Sequence, residues 1–115
     1  MINWDRFDET LGGYGTKLIL EIIDMYFEDH PKDMELIRQS IASKDFRQLN
    51  FSAHHLKGSV ANFMDPDTTS LTLKLMEMGD EQTEEGLEET FQKLQQSNLL
   101  LLQELIQLKA RLQSK

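Results

Sequence analysis

The sequence predicts an all-α fold: an antiparallel (up-down) four-helix bundle with an additional short N-terminal helix. Apolar residues recur at three- and four-residue spacing along most of the chain, and no segment shows the alternation of a half-buried strand. The composition, 39% hydrophobic and 28% charged with two prolines, is typical of a folded helical protein. Because 115 residues suffice for one core but not two, we expect a single domain over residues 1–115.

A short first helix is predicted over residues 3–11, with the bundle itself from about residue 16 to residue 113. The stretch Gly12-Gly13-Tyr14-Gly15 ends the first helix. This glycine cluster does not match a phosphate-binding loop, because no Gly-Lys-Ser/Thr follows it and no predicted strand precedes it. The first helix itself is predicted from the spacing of its apolar residues, Ile2, Trp4, Phe7 and Leu11.

The second helix is predicted to be capped by Thr16 and to run from Lys17 to about Asp29. Apolar residues cover most of its circumference, which indicates a helix deep in the bundle. Pro31 is expected to bend this helix or to begin a new segment. His30, beside this proline, is interpreted as a surface or capping residue.

The third helix is predicted to be capped by Ser43, with Asp45 in its first turn, and to end near Met64. At about 100° per residue, its apolar residues form one narrow stripe that packs into the bundle. This stripe consists of Phe46, Leu49, Ala53, Leu56, Val60 and Phe63. The opposite face, which we expect to point to solvent, contains Arg47, Phe51, His54, Gly58 and Asn62.

The fourth helix is predicted to begin at Asp65-Pro66, an N-cap followed by proline at the first helical position, and to end at Gly79. An acidic loop over residues 80–85 leads to a long last helix with a heptad of apolar residues that Asn98 interrupts. A buried asparagine is costly unless it is paired. The heptad positions are Leu87, Phe91, Leu94, Asn98, Leu101, Leu105, Leu108 and Leu112.

The surroundings of His54 are unusual for a helix that only supports the fold. Gly58 in a helix interior costs about 0.8–1.0 kcal/mol relative to alanine, and an exposed Phe51 gains nothing in the free protein. Both are expected if another molecule must approach His54, because the glycine leaves space and the phenylalanine offers apolar contact. Lys57, one turn along from His54, suits charge compensation of an anion on the imidazole.

The stretch Ala53-His54-His55-Leu56-Lys57-Gly58-Ser59 resembles the A-H-x-L-K-G-S signature of histidine-containing phosphotransfer (HPt) domains. The similarity continues through Ala61-Asn62-Phe63 and extends from about Trp4 to the last helix. In that family the histidine directly after the alanine carries the phosphoryl group, which corresponds to His54 and not to His55. The family usually has Gly-Ala where this chain has Met64-Asp65, and this departure concerns the packing at the helix end.

The resemblance implies a phosphoprotein of a two-component phosphorelay. It would accept a phosphoryl group on His54 from a receiver-domain aspartate, as phosphohistidine, and pass it to another receiver. No kinase activity and no cofactor of its own are expected, since the partner receiver would supply Mg²⁺. Expected partners are response-regulator receiver domains, a hybrid histidine kinase, or both. We assign phosphate stabilisation to Lys57 and Ser59, and receiver docking to Arg47, Phe51, Gly58 and Asn62.

Two other functions fit parts of this sequence. The dimerisation domain of a histidine kinase is also helical with an exposed histidine, but it usually has an acidic residue after that histidine, where this chain has His55. A non-catalytic helical interaction module, either an adaptor or a coiled-coil dimer through the last helix, stays open, although it does not explain Gly58 or Phe51. His55, about 100° from His54, is interpreted as a residue that hydrogen bonds locally. No metal site is predicted, because the sequence has neither a His-Glu-x-x-His motif nor a cysteine pair.

Charge and composition also limit the possible binding partners and the location of the protein. The net charge of −8 argues against nucleic-acid binding, which requires a basic patch. No segment approaches the roughly 20 apolar residues of a membrane span, and the N-terminus lacks the features of a signal peptide. The absence of cysteine fits the cytoplasm. We therefore expect a cytoplasmic monomer that contacts neither nucleic acid nor membrane.

Overall fold

The computed structural model describes residues 1–114, and the predicted all-α bundle is confirmed for this part of the chain, which contains no strand. α2 packs against α3 and α5, and α4 packs against the same two helices, so the four long helices close into a ring. Short loops make chain neighbours antiparallel. The helices are α1 (Trp4–Glu9), α2 (Thr16–Ser43), α3 (Phe46–Val60), α4 (Pro66–Glu81) and α5 (Leu87–Gln113).

The core is formed by the apolar seams of the helices. The predicted stripe is buried from Leu49 on α3 to Phe63, which lies in the 3₁₀ turn after α3, and the heptad positions of α5 are buried from Leu87 to Leu108. Full burial of a leucine or phenylalanine side chain contributes about 1.5–3 kcal/mol to stability. The buried seam of α5 therefore stabilises the bundle. Among the described residues, no helix is long and apolar enough to cross a membrane.

Two predicted helix caps are wrong by one or two residues. Gly15 is the N-cap of α2, and Thr16 is already the first helical residue. Asp45 caps α3, where its side chain accepts a hydrogen bond from the Gln48 amide at 3.0 Å, whereas Ser43 is the last residue of α2. Neighbouring residues can each serve as a cap, and the backbone angles that select one of them depend on packing.

α2 is also longer than predicted, because it does not stop near Asp29. It continues through Pro31 as a single helix of 28 residues. A proline in a helix interior costs about 3 kcal/mol and removes one hydrogen bond. Buried residues on both sides of it, Tyr26 and Ile37, keep the helix packed and outweigh this cost. α1, by contrast, is shorter than the predicted range 3–11, since Leu11 lies in a 3₁₀ turn.

Gly79 does not end α4, which continues to Glu81. It lies where α4 packs closely on α3: an added Cβ would stand 2.8 Å from the Phe46 carbonyl oxygen and 2.9 Å from the backbone nitrogen of Asn50. Asn50 strengthens this contact, because its Nδ2 donates to the Met76 carbonyl oxygen at 2.9 Å. The glycine therefore permits close helix packing.

The junction of α3 and α4 accounts for the departure at Met64-Asp65. Met64 adopts the left-handed conformation, with φ of 54°, in which glycine carries no steric cost. Asp65 is buried and caps α4, as predicted, by accepting a hydrogen bond from the Thr68 amide at 3.1 Å. Its side chain therefore contributes a cap that an alanine could not provide.

Candidate functional site

The outer face of α3 is open around His54. This histidine is exposed, and its ring makes no hydrogen bond within residues 1–114. Phe51, one turn before it, is 69% exposed. Nothing lies within 4 Å of a Cβ added to Gly58, one turn after it. Because Ala53 and Leu56 are fully buried on the opposite side, the helix must present these three residues to solvent.

The other predicted site residues lie around this face. Arg47 and Asn62 are exposed, and the Nδ2 of Asn62 donates to the Ser59 carbonyl oxygen at 3.3 Å. Lys57 is half-buried, and no carboxylate of residues 1–114 forms an ion pair with it. The Ser59 hydroxyl makes one long hydrogen bond of 3.5 Å, to the His55 carbonyl oxygen. Lys57 therefore retains a positive charge that no neighbouring side chain neutralises.

His55 does not bond locally, and this part of the sequence interpretation is wrong. Its Nδ1 lies 2.9 Å from both carboxylate oxygens of Asp33 on α2. Asp33 is only 5% exposed, whereas the His55 side chain is 58% exposed. The one available sequence signal was a carboxylate on the seam of α2, seven residues after Tyr26 and four before Ile37.

Comparison with protein families agrees with this geometry. The family described as Hpt domain matches residues 21–113, which is most of the chain. The chain belongs to the Hpt domain family. No curated protein and no solved structure matched it. Hpt domains take part in histidine phosphotransfer in phosphorelays, in contact with receiver domains and histidine kinases, and are phosphocarriers rather than kinases.

Inside this Hpt domain, a second polar cluster joins α2 to α5. The Tyr26 hydroxyl donates to Oδ1 of Asn98, and the Nδ2 of Asn98 donates to Nδ1 of His30 at 3.3 Å. The His30 and Tyr26 rings stack with centroids 5.3 Å apart. His30 is thus a half-buried residue bonded to α5, and not the surface or capping residue that the sequence predicts. Asn98 is buried and paired, which removes the cost of its burial.

Burial also changes the acid–base properties of this cluster. Desolvation lowers the pKa of His30, and the nearby negative charge of Asp33 opposes that effect. Desolvation raises the pKa of Tyr26, so its hydroxyl stays protonated and remains a donor to Asn98. The bond that Nδ1 of His30 accepts from Asn98 requires the neutral imidazole. Within residues 1–114, no group of three or more histidine, cysteine, aspartate or glutamate residues could hold a metal ion.

Proposed function

We propose that this Hpt domain accepts a phosphoryl group on His54 from the aspartyl phosphate of a receiver domain and passes it to the aspartate of another receiver. One observation carries the proposal: His54 is exposed on α3 together with Phe51, which is 69% exposed, and Gly58, which has open space above it. In-line transfer between two proteins needs the reacting atoms within about 3–3.5 Å. The open face allows a partner to come that close.

The chemistry requires one nucleophile from this chain. A lone pair on a neutral nitrogen of the His54 imidazole attacks the phosphorus of the aspartyl phosphate. The N–P bond forms while the P–O bond to the aspartate breaks, and the electron pair leaves with the carboxylate. The other ring nitrogen keeps its proton, so the imidazole becomes positively charged until that proton is released to solvent. Attack by the carboxylate of a second receiver reverses the step.

Positive charge near His54 supports this reaction. A phosphoryl group brings a charge of about −1.5 to −2. Lys57, three residues along from His54 and without a carboxylate partner in residues 1–114, would compensate part of that charge. The Ser59 hydroxyl would add a hydrogen bond, since its present one is long. The receiver would supply Mg²⁺ together with the reacting aspartate.

The docking surface would centre on Phe51. Because α2 and α3 are antiparallel and meet at Asp33 and His55, Leu36 and Phe51 lie about 4.5 Å and about 6 Å from that contact, in the same direction along the two helices. Both side chains are exposed, so together they offer apolar surface beside His54. Around this apolar contact, the exposed polar and small residues Arg47, Gly58 and Asn62 would complete the docking face.

One observation favours the alternative of a non-catalytic interaction module. Leu99, Leu100 and Ile106 of α5 are exposed apolar residues. The heptad seam of α5, however, is buried inside the bundle and is not free for a coiled coil. Light scattering distinguishes the two possibilities: the phosphocarrier is expected to be a monomer, whereas an interaction module through α5 would be a dimer. The cytoplasmic location stays a prediction from the composition.

The test uses receivers from the same organism that have been phosphorylated with acetyl phosphate. We expect the chain to acquire acid-labile, base-stable phosphate from at least one of them, and to lose it when a second, unphosphorylated receiver is added. Incubation with ATP alone should add none, because no kinase activity is expected. A folded chain that takes no phosphate from any charged receiver would contradict phosphotransfer and favour the interaction module.

A further inference from the structure

We propose that Asp33 and His55 form a positioning pair that fixes the direction in which His54 faces a docked receiver. The inference rests on the phosphotransfer function proposed above. Within residues 1–114 the His54 ring makes no hydrogen bond of its own. The direction of its Cα–Cβ bond, from which the ring projects, is set by the rotation of α3 about its axis.

Directional contacts hold α3 on both sides of His54. On a helix, Asn50 lies about 40° to one side of His54 and His55 about 100° to the other. Asn50 donates to the Met76 carbonyl oxygen of α4 at 2.9 Å. His55 meets both carboxylate oxygens of Asp33 on α2 at 2.9 Å. The apolar seam beneath them fixes which side of α3 is buried, and these two contacts add directional hydrogen-bonded restraints on its rotation.

The Asp33–His55 contact is well suited to this task. Asp33 is 5% exposed, and His55 is the one side chain of residues 1–114 that hydrogen bonds to its carboxylate. A buried carboxylate that loses its partner is left desolvated and unpaired, so this pair strongly favours one geometry. His55 directly follows His54 in the chain. A shift at this contact is therefore transmitted to His54 without an intervening flexible residue.

The test compares two substitutions at Asp33 in the full chain. Asp33→Leu removes the acceptor, whereas Asp33→Asn keeps an oxygen that can accept from Nδ1 of His55 and serves as the matched control. With a charged receiver, we expect Asp33→Leu to transfer roughly tenfold more slowly than wild type, because small misplacements of reacting groups are costly. Asp33→Asn should stay within about threefold of wild type.

Two further measurements separate positioning from a general structural effect. The dissociation constant of the receiver complex should change less than about twofold in both variants, because the docking surface is intact. Phosphorylation of His54 by phosphoramidate should be unchanged, since a small donor reaches an exposed imidazole from any direction. Equal transfer rates for Asp33→Leu and Asp33→Asn would overturn the proposal. A loss of transfer that follows a loss of binding would overturn it too.

A second pair keeps the test valid if Asp33→Leu fails to fold, which circular dichroism would show. His55→Ala removes the donor, while His55→Asn places its Nδ2 close to the former position of Nδ1 and should restore the rate. Failure of His55→Asn to transfer faster than His55→Ala would overturn the proposal. If the wild-type chain itself takes no phosphate from any charged receiver, the proposed function fails, and the positioning role fails with it.

Discussion

The outer face of α3 and the contact between α3 and α4 each contain a glycine inside a helix, and the two glycines have opposite surroundings. Gly58, beside His54, has nothing within 4 Å of an added Cβ. Gly79 would place the same atom 2.8 Å from the carbonyl oxygen of Phe46. Close packing within the chain therefore requires Gly79 to be a glycine. It does not require this of Gly58.

The difference shows that the open face of α3 is not the result of a loosely packed helix. α3 is held tightly on its inner side by the Gly79 contact, by Asn50 and by the fully buried Leu56. It is open only where His54 faces solvent. A rigid support beneath an uncovered histidine is the arrangement that the proposed group transfer would require.

The largest expected change in stability comes from Gly79→Ala. The added methyl group would press on the backbone of α3, which cannot move aside as a flexible side chain can. Overpacking of this kind costs about 1–3 kcal/mol, and the gain in helix propensity of up to about 1 kcal/mol offsets it only in part. Urea unfolding measures the loss. A variant as stable as wild type would show that the two helices are not in tight contact.

Gly58→Ala is the matched substitution on the open face, and it should have the opposite sign. Helix propensity is the main local effect there, so the free energy of unfolding should rise by some tenths to about 1 kcal/mol. Gly58→Gln should also fold normally. Transfer from a charged receiver should fall with side-chain size, by about tenfold or more for glutamine, because the added atoms keep the aspartyl phosphate away from His54.

The outcome of Gly58→Gln distinguishes three situations. If the variant keeps its stability but loses transfer, the result supports docking of the receiver over this face. Unfolding would mean that the glycine is needed for packing. Normal transfer would mean that the receiver docks elsewhere and that the open face has another purpose.

Lys57→Ala tests a smaller, electrostatic contribution of the same face. We expect a decrease of about two- to fivefold in the transfer rate or in the phosphohistidine lifetime, with normal receiver binding, because a partly screened cation near a phosphate contributes modestly. Stopped-flow kinetics and the decay of the phosphorylated chain measure the two quantities. Lys74→Ala, on α4, provides the control. Identical kinetics for both variants would exclude this role for Lys57.

The smallest expected effect concerns the pH dependence of stability and involves the half-buried His30. Burial lowers the pKa of His30 below its unfolded value near 6.5. Both states are neutral at that site above this pH, whereas below it the unfolded chain binds a proton more readily, so stability falls on acidification. Unfolding at pH 7.5 and 5.5 should show a larger loss for wild type than for His30→Gln. Equal losses of stability for the two proteins would contradict the assignment of this pH dependence to His30.

Much of the fold could be predicted because the spacing of apolar residues along the sequence shows which side of each helix is buried. The stripe from Phe46 to Phe63 defined the inner side of α3 and, by exclusion, the outer side that carries His54. Helix ends were less predictable. Gly15 and Thr16 are neighbours that can each serve as an N-cap, and Pro31 lies inside α2 because buried residues on both sides outweigh its cost.

The polar contacts of the interior could not be predicted in the same way. Asp33 and His55 are 22 residues apart, and His30 and Asn98 are 68 residues apart, so neither pair produces a local pattern. The sequence predicts a helix end at Gly79 because glycine often has that role. Only the position of the neighbouring α3 backbone shows that it is a packing residue.

The central claim is that His54, and not the adjacent His55, carries the phosphoryl group. The direct measurement is phosphate uptake from a charged receiver by His54→Gln and His55→Gln, with the modified residue located by mass spectrometry. We predict that His54→Gln takes none while its free energy of unfolding stays within about 0.5 kcal/mol of wild type, and that His55→Gln is still phosphorylated, on His54. Phosphorylation of His54→Gln together with none on a folded His55→Gln would contradict the account.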